Sequence, residues 1–243
     1  MIKFEDTSVW GFEGAIKGMR LPMKSESDSG ICIPESKFCD RCRHLGNEDY
    51  ETGVADCNHP SGYPDGSFVL GIKDEDLAKR LAKAGPDHRK YLRMIHVQTT
   101  ITAPVYWVAE HDTYKIGTVR NSESFMHKGA SQKFSLERFS YTEPPFVKPI
   151  YNCLYKETWD AVLTVLTELQ AAYRVTNDEK YFQALRQLLP SGWLVTYVWD
   201  ANYEVLANIY RQRENHRLPE WHTFCSWIKT LPYSELITGE VAR

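Results

Sequence analysis

The sequence predicts an α+β fold, because a strand pattern leads directly into a helix in the middle of the chain and the C-terminal half is mainly helical. Within residues 94–101 the side chains alternate between a face of Val, Thr and Ile and a face of polar residues, which is the period of a strand. Thr102 and Pro104 follow as an N-cap and an early helical proline, so we expect a short helix from Pro104 to about residue 112.

Four further helices are predicted in the C-terminal half. Apolar side chains recur every three or four residues over 159–173, which is the pattern of an amphipathic helix. Thr176 is expected to cap a second helix that Pro190 ends, and two more helices are expected over 203–213 and 221–231. We expect the aromatic side chains of these stripes to form the core.

Composition limits the classes of protein to which the chain can belong. A chain of 243 residues, 42% of them hydrophobic, is expected to fold as a single domain over 1–243. A formal net charge of -3 with scattered basic residues gives no overall case for binding duplex nucleic acid. No window is apolar enough for a membrane span and acids occupy the first twenty residues, so we expect a cytoplasmic protein without a membrane partner.

Four of the six cysteines crowd into the Gly-, Asp- and Ser-rich region 25–67, which predicts a Cys-rich insert or loop. Cys39-x-x-Cys42 followed by Cys57-x-His59 supplies four ligands that suit zinc, and such a knuckle stabilises a loop that has no core of its own. These four residues are therefore a candidate structural zinc site. Free thiols on a loop are the alternative.

Two arginines and one asparagine form the first candidate for a ligand site. Asn202 and Arg213 are eleven residues apart, so on a helix they lie on one face, about 16 Å apart along the axis. Arg186 lies near the end of the preceding predicted helix, where the helix dipole favours a cation. From spacing alone, solvated or salt-bridged surface arginines are the favoured interpretation.

These positions resemble a motif of the flavin-dependent thymidylate synthases. The order Arg186, Leu189-Pro190, Asn202 and Arg213 matches the family's arginine, Leu-Pro, asparagine and arginine at the same intervals. A second segment matches without gaps: His88 falls on the first histidine of the family's His-x-Ser-x-x-Glu-His, and Ala103-Pro104 falls on its apolar turn. In the same alignment Glu110 stands where the family has a glutamine that contacts substrate.

The family's signature, Arg-His-Arg-x-x-Ser-x-Asn-Glu-x-Ser-x-Arg-Tyr, is altered in this chain. With one inserted residue, 121–127 overlies its second half, and Asn121 and Ser124 are the identities. The Arg-His-Arg triplet falls around 113–116, where Lys115 is the sole cation. A lysine binds an anion as a point charge and lacks the planar fork of an arginine.

The resemblance implies an antiparallel sheet with packed helices, a homotetramer with shared active sites, and transfer of a one-carbon unit from methylenetetrahydrofolate to dUMP. In the family FAD supplies the hydride and NADPH reduces the FAD. The matched positions assign catalysis to Arg213 and Ser124, substrate binding to Arg186, Glu110, Ser124 and Arg213, and FAD binding to His88, Asn202, Lys115 and Asn121. A related pyrimidine-nucleotide modification fits the same positions. The alternative is a non-catalytic nucleotide-binding or structural protein that keeps the fold.

Overall fold

Strands β1 to β4 form one antiparallel sheet. The computed structural model of the chain describes residues 2–29, 70–124 and 133–239. The strands are β1 (Lys3–Trp10), β2 (His96–Pro104), β3 (Val119–Ser122) and β4 (Leu194–Asn202), in the spatial order β1-β2-β4-β3.

The helices precede, interrupt and follow the strands. They are α1 (Phe12–Arg20), α2 (Ile72–Lys83), α3 (Val105–His111), α4 (Pro149–Thr176), α5 (Glu179–Leu188), α6 (Tyr203–Arg213), α7 (Pro219–Ile228) and α8 (Glu235–Thr238). The predicted α+β class and the helical C-terminal half are confirmed. No helix in the described ranges is long and apolar enough to cross a membrane.

Two predicted helix caps are wrong, because neighbouring elements use the residues differently. Thr102 lies inside strand β2, where its hydroxyl hydrogen-bonds the Thr196 hydroxyl of β4 at 2.9 Å, and α3 begins only after Pro104. Thr176 is the last residue of α4. The N-cap of α5 is Asp178, whose carboxylate accepts the backbone N–H of Lys180 at 3.0 Å.

Strand β4 lies between helices α5 and α6, which the sequence pattern predicts as consecutive helices without a strand between them. Its alternate residues Tyr197, Trp199 and Ala201 are buried, which is the period of a strand with one covered face. Val198, on the other face, is exposed. Because apolar side chains lie on both faces, the alternation of apolar and polar residues that marks a half-buried strand is absent.

The chain comprises two compact units. Unit 1 consists of Met1–Glu5, Thr100–Thr113 and Arg120–Trp199, and unit 2 consists of Asp6–Thr99, Tyr114–Val119 and Asp200–Arg243. In unit 1, α4 packs against α5 over a core of Phe134, Phe139, Leu166, Leu185 and Trp193. A single domain can contain two such units, so the single domain over 1–243 stays a prediction.

Helix α6 is the central element of unit 2. It packs against α7, α8 and the turn Lys90–Met94, and the backbone N–H of its first residue, Tyr203, donates to the carbonyl of Ile95 at 3.0 Å. Helices α1 and α2 are joined by an ion pair between Arg20 and Asp74, and both side chains are buried. The Ser29 hydroxyl donates to the same carboxylate at 3.1 Å.

One histidine of unit 1 is held in its neutral form. His111, the last residue of α3, is 2% exposed and packs between Trp107 and Trp199, with ring centroids 4.7 Å from each. Its Nδ1 lies 3.1 Å from the Tyr197 hydroxyl. Burial, and then the charge of Arg120, lowers the pKa of His111 to about 3.

Replacing Arg20 by Met is expected to lower the free energy of unfolding by about 3 kcal/mol, because it leaves the Asp74 carboxylate buried without its cation. The control is Arg80→Met in helix α2, which breaks the ion pair between Arg80 and Asp76. These two side chains are 67% and 65% exposed, and their ion pair contributes less than about 1 kcal/mol to the free energy of unfolding. Urea denaturation measures both losses. Equal losses would contradict a structural role for the buried pair.

The stability of the protein is expected to fall as the pH drops below about 6.5. The unfolded chain then binds a proton at His111 that the folded chain does not take up until about pH 3. This linkage removes about 2 kcal/mol between pH 7.5 and pH 5. The free energy of unfolding, measured by urea denaturation, is therefore expected to depend less on pH over this range in His111→Gln than in His96→Gln. The second variant is the control, because it replaces a half-exposed histidine. Identical pH dependence in the two variants would refute the linkage.

Candidate functional site

Asn202 is both the last residue of β4 and the N-cap of α6. Its backbone is extended, with φ -121° and ψ 165°, and its Oδ1 accepts the backbone N–H of Val205 at 3.0 Å. This cap satisfies one of the N–H groups that a helix leaves without an intrahelical partner. It also fixes the side-chain amide, since the oxygen must face the helix. Asn202 and Arg213 therefore mark the two ends of α6.

Arg213, the last residue of α6, is half-buried against aromatic rings. Its Nε donates to the Tyr114 hydroxyl at 2.8 Å. Its guanidinium carbon lies 4.6 Å from the centroid of Trp221 and 5.5 Å from that of Tyr114. A cation in this position is stabilised by both rings and by the C-terminal end of the helix dipole. A fully solvated surface arginine makes none of these contacts.

A five-residue loop, 114–118, lies along α6. Tyr114 contacts the C-terminal end of the helix, and Gly117 approaches its N-terminal end. Gly117 has φ +75°, and a Cβ there would stand 3.1 Å from Cγ2 of Val205 and 3.2 Å from Nδ2 of Asn202. Both the left-handed backbone and the close approach favour glycine. Lys115 lies on this loop and is exposed.

The turn that carries His88 is tied to the first turn of α6. The neighbouring Arg89 donates from Nη2 to Glu204 at 3.0 Å, and both side chains are largely buried. His88 itself is exposed, and its backbone N–H donates to the carbonyl of Gly85 at 3.0 Å. Unit 2 therefore gathers four of the predicted ligand-binding residues at or beside α6, namely His88, Lys115, Asn202 and Arg213.

The other predicted site residues belong to unit 1. Asn121 lies on β3 and Ser124 just after it, and the Glu123 between them joins this segment to β4. The backbone N–H of Glu123 donates to the carbonyl of Thr196, and its Oε1 accepts the N–H of Thr196, each at 3.0 Å. Glu123, the residue before Ser124, is therefore held to β4 by one backbone and one side-chain hydrogen bond. Ser124 is half-buried.

Glu110 and Arg186 lie at the ends of two short helices of unit 1. Glu110 is the penultimate residue of α3 and is half-buried, and its carbonyl accepts the hydroxyl of Thr113 at 2.7 Å. Arg186 lies in the last turn of α5, with an exposed side chain, while Phe182 and Leu185 of the same helix are buried. The predicted position of Arg186 near a helix end is correct.

Three residues that shape the site carry no motif that marks them in the sequence. Arg213 donates a hydrogen bond to Tyr114, which precedes it by 99 positions, and lies over the ring of Trp221, which follows it by 8 positions. Gly117 directly follows the stretch 113–116 where the signature triplet is altered, and the structure gives it a positive φ, which favours glycine. Aromatic residues at helical spacing predict only core, and Trp221 is indeed fully buried.

The predicted zinc ligands Cys39, Cys42, Cys57 and His59 lie outside the described residues, so that site stays a prediction. Within 2–29, 70–124 and 133–239, no group of three or more His, Cys, Asp or Glu side chains is arranged to hold a metal ion.

Comparison with known proteins gives matches to solved structures alone. No protein-family model matches the chain, and no curated protein matches it. The chain is similar to Thymidylate Synthase X (ThyX) from Helicobacter pylori with FAD and dUMP, with a TM-score of 0.62, 12% identity and 98% of each chain covered. A second structure of the flavin-dependent thymidylate synthase ThyX from Helicobacter pylori, complexed with FAD and dUMP, matches with a TM-score of 0.61 and 13% identity. This match covers 99% of this chain and 100% of that one.

A third structure extends the similarity to a different enzyme. The UMP/dUMP methylase PolB from Streptomyces cacaoi, bound with 5-Br dUMP, matches with a TM-score of 0.56 and 14% identity, covering 98% of this chain and 95% of that one. The matched proteins and this chain therefore align over nearly their full lengths. At this identity the similarity establishes the fold. The chain has the fold of ThyX, the flavin-dependent thymidylate synthase.

Proposed function

We propose that the protein is a flavin-dependent methyltransferase that acts on a pyrimidine nucleotide, with dUMP as substrate and dTMP as product. One observation carries the proposal: Asn202 and Arg213, two of the matched residues of the resemblance, mark the ends of one helix beside the loop that carries Lys115. The fold supports it, because two similar structures contain FAD and dUMP and the third is a UMP/dUMP methylase. A related modification of the pyrimidine base uses the same positions.

Arg213 and Ser124 are the proposed catalytic residues. A guanidinium keeps its charge at any relevant pH, so Arg213 can stabilise negative charge that develops on the uracil ring during attack on the one-carbon unit. Held between two rings, it needs little rearrangement to do so. Ser124 is proposed to lie close to the reacting base, with its backbone held by the preceding Glu123.

Arg186 and Glu110 are the proposed further contacts of the nucleotide. Arg186 has an exposed guanidinium, whose planar fork matches the geometry of a phosphate. Glu110 stands where the family has a substrate-contacting glutamine, and it replaces a neutral amide by an acid. An ionised Glu110 accepts hydrogen bonds only, so it would take an N–H of the base rather than a carbonyl.

The residues assigned to FAD have donor chemistry that fits it. The capping bond of Asn202 holds its Oδ1 against the helix, and its Nδ2 lies beside Gly117, where an added Cβ would stand 3.2 Å away. Lys115, His88 and Asn121 are exposed and add a cation and further donors, which suit the carbonyls and phosphates of a flavin dinucleotide. If bound, FAD reduced by NADPH would supply the hydride that completes transfer of the methylenetetrahydrofolate carbon.

We also propose that the protein is a homo-oligomer, a tetramer by resemblance. Ile150, Leu154 and Val165 of α4 are 65%, 54% and 45% exposed, and intervals of four and eleven residues put them on one face of the helix. An exposed apolar stripe of this kind favours contact with another copy of the chain. We further propose a cytoplasmic location for the protein. We also propose a structural zinc site with the ligands Cys39, Cys42, Cys57 and His59.

A nucleotide-binding protein without redox chemistry is the second candidate function. The altered signature favours it, because Lys115 is the sole cation where the family has an Arg-His-Arg triplet. Tyr114, the residue before Lys115, forms its side-chain hydrogen bonds with two residues of the protein itself, Arg213 and Gln212. Binding of FAD distinguishes the two candidates.

The purified protein is expected to be yellow with bound FAD, and added FAD is expected to stabilise it. At an FAD concentration 100 times its Kd, the melting temperature should rise by roughly 5 to 10 °C. Visible absorbance and differential scanning fluorimetry measure the two effects, with AMP as a control for the adenylate half of FAD. Colourless protein whose melting temperature FAD leaves unchanged would exclude the flavin enzyme.

Replacing Arg213 by Ala is expected to reduce conversion of dUMP at least about 100-fold, because one preorganised charge in the transition state contributes about that factor. The matched control is Arg211→Ala on the same helix, whose exposed side chain donates to Asn208 at 3.1 Å. Product formation is followed with FAD, NADPH and methylenetetrahydrofolate present. Circular dichroism tests that both variants remain folded. Equal activities of the two variants would refute the role of Arg213.

A further inference from the structure

We propose that Tyr114 is the positioning residue for Arg213. Its hydroxyl accepts the hydrogen bond from Nε of Arg213 at 2.8 Å, and its ring lies 5.5 Å from the guanidinium carbon. The orientation of the arginine is thus set by loop 114–118 and not by helix α6 alone. The geometric part of this inference stands by itself, and its consequence for nucleotide binding rests on the proposed function.

The direction of every hydrogen bond around Tyr114 follows from the groups involved. Nε of Arg213 can only donate, so the Tyr114 oxygen accepts there and its hydroxyl proton points to Oε1 of Gln212, 3.0 Å away. Gln212 is itself oriented, because its Nε2 donates to Oδ1 of Asn208 at 3.0 Å. The chain of donors from Arg213 through Tyr114 and Gln212 to Asn208 is therefore consistent, and the Tyr114 hydroxyl is its central link.

The aromatic rings restrict Arg213 in a second way. Trp221 is fully buried, and its ring centroid lies 4.6 Å from the guanidinium carbon. The rings of Tyr114 and Trp221 meet edge to face, with centroids 6.0 Å apart and planes at 77°. A buried tryptophan cannot move without disturbing the core of unit 2, so the ring that it presents is rigid. The hydroxyl of Tyr114 then selects one orientation of the guanidinium against this ring.

Loop 114–118 has its own anchors, which makes Tyr114 a fixed support. The Thr118 hydroxyl donates to the Tyr114 carbonyl at 2.7 Å. Gly117 packs against Val205 and Asn202 with a backbone that favours glycine. One short loop therefore touches both ends of α6, and a change in it reaches Arg213 and Asn202 together.

The test is Tyr114→Phe, which keeps the ring and removes both hydroxyl hydrogen bonds. The arginine Nε–H resonance of Arg213, assigned by its loss in Arg213→Lys, reports the bond directly in a ¹⁵N NMR spectrum. We expect this Nε–H to exchange with water at least about 10-fold faster in Tyr114→Phe, because an N–H exchanges from its open form. The dUMP dissociation constant, measured by calorimetry, is expected to rise about 10-fold. Tyr181→Phe, which alters an exposed tyrosine of α5, is the control and should change neither value.

The two readouts separate the possible failures. An unchanged Nε–H exchange rate in Tyr114→Phe would overturn the proposal, whatever the affinity for dUMP. Faster exchange with unchanged dUMP affinity would overturn the part that concerns binding. If the wild-type protein binds neither FAD nor dUMP, the proposed function fails, and the Nε–H exchange rate still decides whether Tyr114 positions Arg213. A circular dichroism spectrum equal to that of the wild type shows that loss of fold is not the cause.

Discussion

The junction of strand β4 with helix α6 is the constraint on which the unit 2 residues of the site depend. Asn202 ends the strand and caps the helix, so the direction of α6 is fixed by the sheet. The bond from the Tyr203 N–H to the carbonyl of Ile95 secures the first turn. Every position along α6 then follows, including that of Arg213 eleven residues later. A misplaced cap would move the arginine at the other end.

Charge and aromatic packing act together at that other end. An arginine at the last turn of a helix is favoured electrostatically, but its long side chain is flexible. Trp221 and Tyr114 supply surfaces that restrict it, and the Tyr114 hydroxyl supplies a directional bond.

The sequence alone predicts the local elements and misses the distant contacts. The pattern over 203–213 gives α6 with both bounds correct, because amphipathic periodicity is a local property. Strand β1 contains Glu5 and Asp6 and is mostly exposed, so it has no apolar face to reveal it. The family resemblance singles out Arg213, whereas no sequence signal marks its partner Tyr114, since 99 residues separate the two.

The central claim is that this fold holds a flavin and a pyrimidine nucleotide. It is tested most directly by mass spectrometry of the small molecules released when protein purified from cells is denatured. We expect FAD together with a uridine or thymidine monophosphate, and we expect Arg213→Ala protein to release less nucleotide. Wild-type protein that releases neither a flavin nor a pyrimidine nucleotide would contradict it.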